Sequence, residues 1–245
     1  MSASRRPGVG SNRRSGFRGF GGGAVVALSP VADAVFRYEG ATAAINGWGN
    51  TGSAGAGADL AAIGTDAALT TLDGKTVVDF AGASAGFGCA AAAFTLGASH
   101  TIYVVCRTPS SFAATRRVIG GGIGAAGAGS SILQITATPT WQLGTTDMSP
   151  TPPSVDTWYA VCLQYNGSGT DELLFVNDFT TPTQAATAAA ASTCTGITVG
   201  SHSLGTVDWL GMVAAVLGYS GTHDAAARAT QGAYLLQQFP SLTIA

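Results

Sequence analysis

From residue 24 onward the chain is cut into short β-type runs, each bounded by glycine, proline, asparagine, aspartate or serine. KTVVDF follows the turn signal LDG. It is succeeded by AAFTL, HTIYVVCR, RRVIGG, SILQIT, TWQLG, TWYAVCLQYN, ELLFVND, GITVGS and DWLGMVAAVLGYSG. Runs of this length with such punctuation are strands, and about a dozen of them leave room for little else. In TIYVVCR, Ile102, Val104 and Cys106 point one way, and Tyr103, Val105 and Arg107 the other. TWYAVCLQY is apolar on both faces, as in a central strand covered on both sides. Trp158 in that run and Trp209 in VDWLG are expected to be packing residues. One helix is expected, in THDAAARATQGAYLLQQF. Thr222 is its N-cap, Asp224 lies near the positive end of its dipole, and Ala229, Ala233, Leu236 and Phe239 share a stripe that Pro240 ends. Residues 182–194 admit either a short helix or a loop. No repeat of solenoid or propeller length is present. The fold class is all-β: a two-sheet antiparallel jelly-roll sandwich with a short C-terminal helix and an extended N-terminal arm.

Charge divides the chain in two. Arg5, Arg6, Arg13, Arg14 and Arg18 give the first 18 residues about +5, while the remainder carries −7. The opening RRPGVGSNRRSGFRGFGG lacks the apolar surface to order itself. The division is therefore an extended basic arm, 1–30, and a sandwich domain, 31–245. A basic tail on an acidic body is an interaction arm, with Phe17 and Phe20 as anchors among its glycines and the arginines pairing with carboxylates of a partner. The acidic body would repel a duplex, so nucleic acid is not the expected partner.

The order of segments resembles the concanavalin A-like, laminin G-like jelly-roll superfamily. The residues that carry this run from KTVVDFAG through FTLGASHTIYVVCR, SVDTWYAVCLQYNGSGTDELLFVND and GITVGSHS to DWLGMVAAVLGYSG and a terminal YLLQQF. The likeness spans residues 31–243. Such domains recur in tailed-phage virion proteins, and a basic Gly-rich arm before a compact β domain looks like that setting. The resemblance implies a virion structural protein. The first form is a capsid decoration protein whose arm binds the major capsid protein or another virion protein. The alternatives are a minor tail or fibre protein, or a free carbohydrate-binding lectin domain. The expected location is the outer surface of a capsid, or a tail. A homo-oligomer and a host-surface glycan are further partners of such a protein. No run of about 18 apolar residues exists, so no membrane span is expected.

Chemistry is thinly represented. Retaining glycosidases need two carboxylates about 5–5.5 Å apart. The only glutamates are Glu39 and Glu172, and neither lies in an ExDxxE string. Asp171 and Glu172 are read as a turn before LLFVND. His100 and His223 open a strand and a helix at solvent edges, and no GxSxG accompanies them. An enzyme is not expected. Asp147, Asp156, Asp178 and Asp208 are scattered and form no DxDxDG calcium loop, so neither a metal nor a cofactor is assigned. GGGIGAAGAG lacks the GK[ST] of a phosphate loop. Cys89, Cys106, Cys162 and Cys194 show no CxxC spacing and are expected to be buried thiols. For a glycan, Trp48 and Trp141 are the candidate stacking platforms, with His202 beside them in the GSHSLG loop.

Overall fold

The computed structural model describes residues 27–81, 85–123, 132–143, 146–148, 152–167, 171–187, 193–201 and 209–245. The arm residues Arg5, Arg6, Arg13, Arg14, Phe17, Arg18 and Phe20 lie outside these, as does His202. Along the chain, β1 (Phe36–Glu39), β2 (Ala43–Ala44), β3 (Gly47–Trp48), β4 (Leu60–Gly64), β5 (Ala68–Leu72), β6 (Lys75–Asp79), β7 (Ala85–Gly88) and β8 (Thr95–Leu96) precede the long β9 (Ser99–Arg107). The next strands are β10 (Arg116–Gly120), β11 (Leu133–Ile135), β12 (Trp141–Leu143), β13 (Thr146–Asp147) and β14 (Trp158–Asn166). After them come β15 (Asp171–Val176), β16 (Gln184–Thr187), β17 (Cys194–Thr195), β18 (Thr198–Val199) and β19 (Met212–Ser220). The helix α1 (Ala225–Gln238) follows.

Two antiparallel sheets form the sandwich. One runs β16-β15-β14-β9-β19-β6-β5, with β1 also paired to β19. The other runs β13-β12-β11-β10-β18-β7-β4-β3-β2. β1 and β6 divide one edge of β19: β6 takes Met212–Val213, and β1 takes Ala215–Gly218. Between those stretches β19 slips one residue relative to β9, so Ala214 bulges and the edge can change partner.

Period-two alternation determines which core each side chain enters. Ile102, Val104 and Cys106 join Val161, Leu163 and Tyr165 between the sheets. Tyr103, Val105, Ala160 and Cys162 point to the opposite face of the first sheet and pack beneath α1. Trp209 is fully buried between the sheets, and the half-buried Trp158 packs on the helix side. All four cysteines are buried free thiols, and Cys106 and Cys162 lie on opposite faces of the sheet.

Four expectations need correction. Residues 184–187 form an edge strand, since β15 offers them a free row of backbone partners. Only Thr95–Leu96 of AAFTL is strand. The helix cap is Asp224, whose carboxylate accepts from the Ala227 amide at 2.8 Å, and Thr222 lies two residues ahead of it. The buried residues of α1 are Arg228, Gln231, Gly232, Tyr234 and Leu235, while Ala229 and Ala233 face solvent. Gly232 packs closely on Phe179, where an added Cβ would sit 3.2 Å from the ring.

Candidate functional site

The tryptophans proposed as sugar platforms are core residues. Trp48 is 1% exposed, directly opposite Leu60, and its indole N–H donates to the Glu39 carbonyl at 2.8 Å. Trp141 is 1% exposed, directly opposite Ile135, and its ring meets Tyr159 edge-on at 5.6 Å. Both stand at inward positions of the second sheet, so neither has an open face for stacking.

His100 also departs from expectation. It is fully buried and stacks on Tyr165 at a centroid distance of 4.5 Å. Its Nδ1 lies 2.8 Å from the Gly97 carbonyl, which can only accept, so Nδ1 carries the proton. Nε2 is buried without a partner. Burial pulls the imidazole below its ordinary value, and the Gly97 bond only partly opposes this. Glu172 belongs to β15 and is no turn residue: it pairs with Tyr165 and is buried, which pushes its carboxyl up.

The polar groups that do converge are on the helix side of the first sheet. β1 reads Phe-Arg-Tyr-Glu, with Phe36 and Tyr38 buried between the sheets and Arg37 and Glu39 on the outer face. Arg37 Nε contacts Glu39 Oε2 at 2.5 Å. Arg37 Nη2 donates to the Tyr234 hydroxyl at 2.7 Å, and that hydroxyl donates to Glu39 Oε1 at 2.6 Å. The three groups form a closed ring, and each carboxylate oxygen accepts one bond. The guanidinium carbon also sits 5.5 Å from the centre of the Tyr234 ring.

A crevice of about 500 Å³ opens over this ring. One wall is Leu28–Pro30, fastened to α1 by bonds from the Leu28 amide to Gln237 at 2.6 Å and the Val31 amide to Gln231 at 3.1 Å. The other wall is the β5–β6 turn, Gly74–Thr76. Gly40 completes the floor, where a Cβ would lie 2.2 Å from the Thr76 carbonyl oxygen. Gln238 supplies one amide, and the buried Phe239 backs the crevice. An adjoining cavity of about 450 Å³ shares Ser29, Pro30 and Arg37 and includes Asp33.

Electrostatics define what the ring can do. Burial alone would lower the Arg37 guanidinium, but Glu39 and then Tyr234 outweigh it, so its value is raised. Burial, followed by the bond to Glu39, pushes the Tyr234 phenol up. It therefore stays protonated at neutral pH and acts as a hydrogen-bonding group, not as a phenolate nucleophile. Among the described residues, Glu39 is the single carboxylate lining this crevice. Among the described residues, no three histidine, cysteine or acidic side chains group as a metal set. A second polar row crosses the outer face of the other sheet, from Arg117 Nε to Gln134 at 3.0 Å and from Gln134 to Gln142 at 2.5 Å. It links β10, β11 and β12 side by side, as cross-strand polar pairs do.

Sequence reasoning noticed Glu39 only as a lone glutamate and passed over Arg37 and Tyr234. The alternation in FRYE carries the signal for the first pair. Nothing local points to Tyr234, which lies 195 positions from Glu39.

No protein-family model matches the chain, and no curated protein does. Solved structures do. A sialidase from Trypanosoma rangeli in complex with sialic acid superposes with a TM-score of 0.59 at 16% identity, over 85% of this chain and 34% of that one. The chain thus spans about a third of that sialidase's length. Domain 4 of an extracellular arabinanase from Geobacillus stearothermophilus, in complex with arabinotriose, gives 0.54 at 9% identity, over 82% of this chain and 98% of that one. The binding domain of botulinum neurotoxin serotype G gives 0.55 at 9% identity, over 83% and 51%. At these identities the likeness is one of fold: the chain is a β-sandwich of the kind found in these proteins.

Proposed function

We propose that the protein is a non-enzymatic carbohydrate-binding module whose crevice over Arg37, Glu39 and Tyr234 receives a sugar. The closed Arg–Glu–Tyr ring carries this reading. Neighbouring sugar hydroxyls each donate and accept, and a guanidinium beside a carboxylate offers a donor and an acceptor at matching spacing. The ring is assembled before any ligand arrives, so binding need not order it. Leu28 and Pro30 give the apolar faces of a sugar a surface to cover, in the usual mixture of a small-molecule site. The single carboxylate and the protonated phenol speak for binding without hydrolysis. The sialic acid and arabinotriose complexes named for two fold neighbours support a sugar as the ligand class.

The wider setting we propose is a phage virion, as a capsid decoration protein or a tail component. The basic arm would attach it to the particle and the sandwich would be displayed outside. The charge division between residues 1–18 and the body supports this placement.

A glycan array followed by calorimetry tests the sugar reading. The full-length protein should bind, and Tyr234→Phe should weaken its best ligand about tenfold while the thermal melt stays within a few degrees of wild type. An array without any hit would overturn the reading. So would a ligand whose affinity ignores Tyr234.

A further inference from the structure

We propose that the crevice selects acidic over neutral sugars, with Lys75 as the group that reads the carboxylate. This inference rests on the sugar-binding reading of the same site.

Lys75 is the only lysine in the chain and is exposed on the wall of the crevice. Arg37 and Glu39 are matched to each other, so their charges cancel locally. Lys75 then leaves the lining with one positive charge, and among the described residues no acid pairs with it. The nearest candidate in sequence is Asp73, whose Oδ2 is taken by the Ser241 amide at 2.9 Å and hydroxyl at 2.8 Å. Asp33 lines the adjoining cavity and not this one. A carboxylate would therefore sit at the Lys75 end, away from Asp33.

The position is also fixed. Asp73 and Gly74 both take left-handed backbone angles, φ +50° and +75°, which define a tight turn. The β5–β6 register places Leu72 opposite Lys75, and the Ser241 bonds clamp the tip from the C-terminal tail. The ammonium thus starts from a held backbone and loses only side-chain freedom on binding. That arrangement favours a charge-assisted bond in a partly sheltered crevice.

Calorimetry on the full-length protein compares sialyllactose with lactose, and trigalacturonate with its methyl ester. The acid member of a pair should bind about tenfold more tightly, and its advantage should shrink several-fold between about 0.05 and about 0.5 M salt. Lys75→Met should reduce the acid-to-neutral ratio to near one, and Lys75→Arg should preserve it. Because no other lysine exists, amine acetylation read by peptide mapping reports directly on Lys75, and the acidic sugar should protect it. Equal binding of acid and neutral members would overturn the inference and leave the sugar site standing. So would an acid preference that survives Lys75→Met, or acetylation of Lys75 unaffected by ligand. Binding of neither member of any pair, together with an empty array, would remove the sugar reading itself.

Discussion

His100 has no solvent contact and one ring nitrogen without a partner, and its neighbours supply no compensating acid bond. Above the unfolded value of 6.5 both folded and unfolded chains hold a neutral imidazole, and stability is full. As pH falls below that value the unfolded chain takes up a proton that the folded chain resists, so stability declines until the folded value is passed. Glu172, across the Tyr165 ring, runs the other way. Its raised value means the folded chain protonates first on acidification, which relieves its burial. The interval between pH 7 and 5.5 spans the unfolded histidine value. His100→Asn keeps a donor for the Gly97 carbonyl but cannot titrate, so urea midpoints should drop less over that interval than in wild type. Equal drops would show that His100 does not set the acid response.

At the scale of elements, β1 joins the core to the crevice. Its inward residues anchor it, and its outward residues form two thirds of the polar ring. Its seat on β19 depends on Gly218, which pairs with Phe36; an added Cβ there would lie 2.1 Å from the Phe36 ring. Gly218→Ala should therefore cost about 1–3 kcal/mol by chemical denaturation, as overpacking does in a filled core. The same displacement should weaken sugar binding, since Arg37 and Glu39 move with the strand. A variant as stable as wild type would mean that β1 yields without loss. The helix contributes Tyr234 from a face held by polar contacts: Arg228 donates to the carbonyls of Phe179 at 2.9 Å and His223 at 2.7 Å, and lies over the Phe175 ring at 4.5 Å.

At the scale of the whole molecule, charge is divided unevenly along the chain. Residues 1–18 carry about +5 and the remainder −7, and the arm we propose would pair its arginines with carboxylates of a partner protein. Full-length protein with Arg5, Arg6, Arg13, Arg14 and Arg18 all changed to Gln should fail to co-sediment with purified phage particles lacking the protein, while the wild type binds. Binding by both would take the arginines out of the attachment. On the proposed reading, particle attachment draws on the arm arginines and sugar binding on the crevice beside α1. They should be separable by mutation.

The sequence alone determined what depends on neighbours one or two residues away. Alternation in TIYVVCR put Ile102, Val104 and Cys106 on one face and Tyr103 and Val105 on the other, as the two cores do, because the pleat repeats every two residues whatever lies around it. The lack of CxxC spacing likewise agreed with four free thiols. Only the tertiary structure decided what depends on the covering layer. Trp48, Trp141 and His100 sit near turns or strand ends, where local pattern leaves the two tryptophans open to either state and puts the histidine at a solvent edge; residues directly opposite on partner strands place all three in the core. The Arg37–Glu39–Tyr234 ring exists because β19 carries β1 beneath α1, a meeting of residues 197 positions apart that no local periodicity encodes.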